Sequence, residues 1–168
     1  MEKFYFFVDW VNKLPEGNGK FIYENGIACI GQFKKGLRNG KGKEYNENGK
    51  LIYEGDFVDD EYDGHGKLYD ENENYYEGPF KKGCANGKGA QYKKNGDIVF
   101  EGNFVNNARE GNGKLYYENG DYYIGPFKNE YRHWDGKEYD KNGVLLCFIT
   151  YQEGVVTRSC EIGGKEID

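Results

Sequence analysis

Tyr53-Glu54-Gly55-Asp56-Phe57 and, a few residues on, Gly64-His65-Gly66-Lys67-Leu68-Tyr69 are the segments whose reading decides the fold. Both are short, aromatic and glycine-bearing, and neither they nor the residues around them carry a sustained apolar helical period, so they read as strands. Pleat parity puts Tyr53, Gly55 and Phe57 on one face and Glu54, Asp56 and Val58 on the other. In the preceding strand Lys43 and Tyr45 share a face, with Gly40 and Gly42 opposite. A glycine inside a strand costs stability unless something needs the space. A large ring lying over it is the expected reason.

Outward from this stretch the pattern recurs. Gly-x-Gly stands at Gly17/Gly19, Gly40/Gly42, Gly64/Gly66, Gly87/Gly89 and Gly111/Gly113, in steps of 23 or 24 residues, and a further step reaches Trp134/Gly136, where Trp replaces the first glycine. Gly-x-Phe recurs at Gly31/Phe33, Gly55/Phe57, Gly78/Phe80, Gly102/Phe104 and Gly125/Phe127. Five residues after each first glycine comes Ile22, Tyr45, Tyr69, Tyr92, Tyr116 or Tyr139. Three columns with one period define a repeat array. Every second repeat matches best: Gly78-Pro79-Phe80-Lys81 returns as Gly125-Pro126-Phe127-Lys128, and Gly55-Asp56-Phe57-Val58 as Gly102-Asn103-Phe104-Val105. Two alternating hairpin geometries are therefore expected, with a superperiod of 47 residues.

Asn25-Gly26, Asn48-Gly49, Asn95-Gly96, Asn119-Gly120 and Asn142-Gly143 predict type I′ turns, which need two residues at positive φ. Asn72-Glu73-Asn74 lacks the glycine and predicts a less regular turn. Each repeat thus reads as strand, loop of about six residues, strand and tight Asn-Gly turn, and successive repeats extend an all-β antiparallel meander.

Composition agrees with an unusual core. The 168 residues include 26 Gly, 16 Tyr, 11 Phe and 2 Trp, but 3 Pro, one Met and one serine, Ser159. Leu, Ile, Val and Phe number only 35, near the level at which disorder becomes the default, so aromatic rings must supply much of the buried surface. A net charge of −6 argues against nucleic acid. No apolar run approaches the ~18 residues of a membrane-spanning helix, and Met1–Trp10, interrupted by Asp9, is not a convincing signal peptide. The expected location is cytoplasmic, with peripheral membrane contact as the alternative.

Catalytic chemistry finds no support. Thr150, Thr157 and Ser159 are the only hydroxyl residues besides tyrosines, which disfavours a Ser or Thr nucleophile. The carboxylates of Asp59–Asp63 have no nearby histidine. His65 occupies a position held elsewhere by Lys41, Lys88 and Asn112, whereas His133 beside Trp134 marks the most atypical loop. The glycine pairs open no helix, so they are not phosphate loops. Cys29, Cys84, Cys147 and Cys160 lack metal-ligand spacing and read as reduced thiols. The expectation is no enzyme, no cofactor and no metal.

By these columns, residues 17–148 resemble the MORN-repeat family, whose unit runs Tyr-x-Gly-x-Trp/Phe, a loop, then Gly-x-Gly and an aromatic. Tyr53–Tyr69 carries the pattern, as does Phe100-Glu101-Gly102-Asn103-Phe104 with Gly111-Asn112-Gly113-Lys114-Leu115-Tyr116. The resemblance implies an elongated, twisted, single-layer antiparallel sheet with one groove-like face. It also implies a scaffold, dimerisation or targeting role, since family members are found attached to lipid kinases, histone methyltransferases and membrane-junction proteins, and related repeats occur near bacterial toxin–antitoxin systems. Residues 1–16 are expected to supply an N-terminal capping strand over Phe4–Trp10. Residues 149–168 should supply a capping hairpin from Leu145–Tyr151 and Val155–Ile162.

The candidate surface is aromatic: Tyr45, Phe57, Tyr69, Phe80, Tyr92, Phe104, Tyr116, Phe127 and Trp134, with Phe33 in the same column, as a groove for a protein partner. The competing reading packs the tyrosines against the glycines. Basic Lys34–Arg38, acidic Asp59–Asp63 and basic Lys81–Cys84 would form alternating charged bands along one edge. A lysine follows the glycine pair at Lys20, Lys43, Lys67, Lys114 and Lys137, with Ala90 the exception. That row suggests acidic lipid headgroups, but no run of 4–8 adjacent basic residues supports it. A protein partner, or a second copy of the chain, is therefore favoured over lipid, and an inhibitor of an enzyme would look the same in sequence.

Overall fold

The computed structural model describes residues 9–11, 14–161 and 166–167. The strands are β1 (Asp9–Val11), β2 (Leu14–Ile22), β3 (Ala28–Lys34), β4 (Leu37–Tyr45), β5 (Leu51–Val58), β6 (Glu61–Tyr69), β7 (Tyr75–Lys81), β8 (Cys84–Ala85) and β9 (Gly87–Tyr92), then β10 (Ile98–Val105), β11 (Ala108–Tyr116), β12 (Tyr122–Lys128), β13 (Tyr131–Arg132), β14 (Trp134–Tyr139), β15 (Leu145–Gln152), β16 (Val155–Glu161) and β17 (Glu166–Ile167). The described residues are all-β and contain no helix. The chain divides into two compact units, residues 1–84 and 85–168. Within each, strands pair antiparallel with their neighbours in sequence, the meander the repeat pattern predicts. Most of the capping strand expected over Phe4–Trp10 lies outside the described residues. At the other end β15 runs across the expected boundary at 148/149 and pairs with β16.

The two kinds of turn are interchanged relative to expectation. At Asn48-Gly49 only the glycine has positive φ, 77°. Its N–H donates to the Asn46 carbonyl (2.9 Å), and the Asn46 N–H donates to the Lys50 carbonyl (2.9 Å). This is a type I turn closed by one left-handed residue, braced by the Asn46 Oδ1, which accepts from Asn48 N–H and Lys50 N–H. Glu73 takes the glycine's place at φ 66° with the same two backbone bonds to and from Asp70, so that turn is as regular as the others. The type I′ turns lie on the opposite edge, where a six-residue loop was expected. Lys35-Gly36, Asp59-Asp60, Lys82-Gly83, Asn106-Asn107, Asn129-Glu130 and Glu153-Gly154 all have positive φ at both residues. Only three of these pairs contain glycine, which is why the sequence hides them.

These I′ turns are stitched together. The second turn residue donates its N–H to a carbonyl beside the preceding turn: Asp60 to Arg38 and Gly83 to Tyr62 in the first unit, Glu130 to Arg109 and Gly154 to Arg132 in the second. Where that residue is not glycine, its side chain returns a bond. Asp60 Oδ1 accepts from Arg38 N–H (2.7 Å), Asn107 Oδ1 from Ala85 N–H (2.8 Å) and Glu130 Oε1 from Arg109 N–H (2.6 Å).

The 47-residue alternation has a structural cause in the middle residue of Gly-x-Phe. Opposite that residue the next strand carries three residues, the central one at positive φ, and the ladder shifts between Gly31 and Phe33, Gly55 and Phe57, and Gly102 and Phe104. Asp56 fills its bulge by accepting from His65 N–H (2.9 Å), and Gln32 accepts from Lys41 N–H (3.2 Å). Pro126 has no such acceptor and no N–H. There the partner strand breaks into β13 and β14, and only the Pro126 carbonyl is engaged, by His133 N–H at 3.0 Å. Trp134 keeps the repeat glycine's backbone, φ 60°, at a cost of roughly 1–2 kcal/mol for an L-residue.

Candidate functional site

Each unit has a filled face and an open one. On the filled face rings lie over glycine pairs. A Cβ on Gly55 would meet the Tyr53 hydroxyl at 2.5 Å, one on Gly102 would meet Phe100 Cζ at 2.6 Å, and Gly66, Gly113, Gly125 and Gly136 lie under Tyr53, Phe100 and Tyr123 in the same way. The rings are thus those two residues before the Gly-x-Phe glycine, on its own strand, and not the Tyr45 column. Tyr53 reaches past its glycines to donate to the Asp56 carbonyl (2.9 Å), as Tyr76 does to Pro79 (3.0 Å).

The rings then cover one another. Tyr53 stacks on Tyr62 at 3.7 Å and meets Phe57 and Phe80 edge-on at 5.1 and 5.3 Å. Phe100 meets Phe104 and Phe127 edge-on at 5.4 and 4.9 Å, and Tyr123 meets Phe127 and Tyr151 at 5.6 and 5.5 Å. Such pairs contribute about 0.5–1.5 kcal/mol each beyond burial. Burial holds the Tyr76, Tyr123 and Tyr151 hydroxyls protonated up to about pH 12.

Sequence reading missed three arginines laid over rings on this face: Arg109, over Phe100 (4.7 Å) and bonded to Gln91, and two larger clusters. Arg38 lies over Phe57 (4.6 Å), bonds the Glu44 carboxylate, donates its Nε to Asp60 (3.1 Å) and lies 3.5 Å from the Cys29 Sγ. Burial pushes the Cys29 thiol up. Arg132 lies over Tyr151 (4.1 Å), donates to the hydroxyls of Tyr151 (2.7 Å) and Tyr117 (2.6 Å), and sits 3.7 Å from Glu138. Tyr23, Arg38 and Glu44 stand 94 residues before Tyr117, Arg132 and Glu138. A comparison at twice the superperiod was the signal that would have found them.

The open face carries the lysine row. In the first unit Lys20, Ile30, Lys43, Glu54, Lys67 and Glu77 stand directly opposite one another on successive strands. All of them but Lys20 border a depression of about 530 Å³ over Gly42, Gly55 and Gly66. Its charges are paired: Lys43–Glu54 at 2.9 Å and Lys67–Glu77 at 3.2 Å. The hydrogen bond from Lys43 holds the Glu54 carboxyl below the usual carboxylate range. Tyr69 also donates to Glu54 (3.1 Å). In the second unit the equivalent row is Ala90, Glu101, Lys114, Ile124, Lys137 and Phe148. Glu101 accepts from the Tyr116 hydroxyl (2.7 Å) rather than from Lys114. Lys114 lies over the Tyr122 ring (3.8 Å), and Lys137 lies over Phe148 (5.5 Å). Ile124 is 42% exposed and Phe148 50%.

The predicted aromatic surface is thereby divided. Phe57, Phe80, Phe104 and Phe127 are buried in the ring layer with Phe33. Tyr45, Tyr69, Tyr92 and Tyr116 are half-buried on the lysine face, toward the strand ends. The two columns do not line one groove, because opposite pleat parity sends them to opposite sides. Trp134 is 55% exposed, edge-on to His133 at 4.4 Å. The charged edge bands are joined: Arg38 pairs with Asp60 across adjacent turns. His65 contributes its backbone N–H to Asp56, and the His133 Nδ1 accepts from Glu153 N–H (3.2 Å). Among the described residues Cys29, Cys84 and Cys147 are in no disulfide, the Cys147 thiol donating to Glu138 (3.8 Å), and no group of His, Cys, Asp and Glu is placed to hold a metal ion.

Residues 9–27, 29–50, 53–75 and 100–122, slightly over half of the chain, match the family model of the MORN repeat. The chain belongs to the MORN-repeat family. The two repeats that open on Tyr-x-Gly-Pro-Phe, 76–98 and 123–145, fall outside the matched ranges. They are also the repeats whose second strand is interrupted. No curated protein matches the chain. MORN repeats are associated in general with interactions with proteins or membrane lipids, and MORN-repeat proteins are typically not catalysts.

Proposed function

We propose that this chain is a non-catalytic binding module for a protein partner and that it engages that partner through the open, lysine-bearing face of its sheets. The observation that carries this reading is the asymmetry between the faces. The ring face is filled by its own side chains, while Ile30, Ile124, Leu146 and Phe148, all on the opposite face by pleat parity, are each 42–50% exposed. Large apolar side chains kept in water on one face of a sheet mark an interaction surface. The lipid alternative is weaker, because Glu54 and Glu77 neutralise Lys43 and Lys67 in the first unit, and Lys114 and Lys137 in the second do not make up the run of adjacent basic residues that marks an anionic-lipid site.

The test is affinity capture with the tagged chain, followed by mass spectrometry and light scattering. A protein retained in fixed stoichiometry, or a defined homodimer, supports the reading. A strict monomer that retains nothing overturns it. Flotation with anionic liposomes at low salt should leave the protein unbound, and co-flotation would favour the lipid alternative.

A further inference from the structure

We infer that the open face of the second unit binds an acidic segment of a partner protein, with aliphatic or aromatic residues between its carboxylates. This rests on the interaction reading above and names the partner's chemistry. The argument is a comparison of two rows built on the same repeat. Both place side chains directly opposite one another on successive strands, about 4.8 Å apart. In the first unit the alternation of Lys43, Glu54, Lys67 and Glu77 closes on itself through two ion pairs. In the second, the run Lys114, Ile124, Lys137 and Phe148 repeats Lys20, Ile30, Lys43 and Glu54 at 94 residues, but Phe148 stands where Glu54 neutralises Lys43, so the run reads cation, apolar, cation, apolar.

Among the described residues no carboxylate stands within ion-pair distance of Lys114 or Lys137. The two nearest along the row and strand are otherwise engaged: Glu101 accepts from Tyr116, and Asp135 accepts from the Thr150 hydroxyl at 2.7 Å. Each ammonium rests instead on an aromatic face, which leaves it oriented and in need of an anion. Ile124 between them and Phe148 beyond are exposed, and Leu146, also 43% exposed, shares Phe148's face. Two cations about 10 Å apart, with an apolar side chain between, are complemented by carboxylates at that spacing flanking an apolar residue. A purely anionic ligand would leave Ile124 and Phe148 uncovered. A purely apolar one would desolvate both ammonium groups without a partner.

The experiment is selection of the full chain against four display libraries of fifteen-residue peptides: acidic–apolar, basic–apolar, neutral–apolar and acidic without apolar residues. The acidic–apolar library should be enriched. Affinity for the selected peptides should fall at least tenfold in Lys137→Met and in Phe148→Ala, and should be unchanged in the first-unit control Lys67→Met. The double charge reversal Lys114→Glu with Lys137→Glu should bind basic–apolar peptides instead, a gain that misfolding cannot mimic. Enrichment of another library, or binding indifferent to Lys137, overturns the inference and leaves the interaction reading standing. Enrichment of none also overturns it, and affinity capture then decides the broader reading separately.

Discussion

Arg38 and Arg132 stand 94 residues apart and reach the same relative positions: six residues ahead to Glu44 or Glu138, and nineteen ahead to Phe57 or Tyr151. Only the details vary, with the Cys29 thiol beside Arg38 where Arg132 faces Tyr123. Across the sheet the same two units differ in kind. One open face is a closed ladder of ion pairs, and the other is two lysines on aromatic rings beside exposed Ile124 and Phe148. The filled face is held to one solution by packing. The open face is unconstrained by the core, so its side chains are free to differ between the two units.

The largest expected effect strikes both units together. Tyr76 in the first and Tyr123 and Tyr151 in the second are each raised to about 12, with burial the leading cause. A raised folded-state value means that the native protein holds protons the unfolded chain has released. Stability is therefore complete below pH ~10, the unfolded tyrosine value, and is lost as pH rises toward 12. Circular dichroism and tyrosinate absorbance should change in one transition across that window. Non-cooperative ionisation spread evenly from pH 10 would show that the rings are not buried as described.

Next come the glycines. Gly66→Ala in the first unit and Gly113→Ala in the second each drive a Cβ into a ring and should cost about 2–3 kcal/mol in urea unfolding. Gly49→Ala, which meets nothing within 4 Å but sits at φ 77°, should cost only about 1 kcal/mol. Equal costs at the three sites would remove the ring-over-glycine account.

The arginine clusters can be separated by substitution. Arg38→Met leaves Glu44 with one remaining partner, the Tyr62 hydroxyl at 3.2 Å. Arg132→Met leaves Glu138 with three, the hydroxyls of Tyr117 (2.6 Å) and Tyr151 (3.0 Å) and the Cys147 thiol (3.8 Å). The first should therefore cost about 2 kcal/mol and the second about 1, both below the penalty for a fully buried pair. The reverse order would show that the thiol and the phenol matter more than the carboxylates.

The smallest effects are at exposed positions. Lys67→Ala should cost under about 1 kcal/mol, and Lys137→Ala, which has no ion pair to lose but rests on the Phe148 ring, should cost about 0.5 kcal/mol. Glu73→Gly should stabilise by roughly 0.5–1 kcal/mol, because Glu73 already adopts a glycine conformation at φ 66°.

Much of this architecture was legible in the sequence because each device leaves a periodic trace. Columns of Gly and Phe announced strands, a meander and the crowding of rings on glycine. Turn type was not legible. Asn48-Gly49 suits two different turns, and the side-chain acceptor of Asn46 selects the one with a single left-handed residue. Asp59-Asp60 and Asn129-Glu130, which form the I′ turns, carry no glycine to advertise them. The candidate surface was half legible. Aromatic identity alone cannot tell the face that buries Phe57 from the one that keeps Phe148 in water. Pleat parity separates Phe57 from Tyr45, yet the exposure of Phe148 depends on Lys137 and Ile124 beside it, two strands of context away from any single motif.

The stitching of the I′ turns has a directional consequence. Between backbone groups each later turn donates an amide to the carbonyl left by the earlier one, and the bonds returned from earlier amides go only to side chains. Deuterium uptake at Gly83 therefore reports opening around Tyr62, and uptake at Gly154 reports opening around Arg132. Every hairpin carries, in the amide of its successor, a slow-exchanging gauge of whether it is closed.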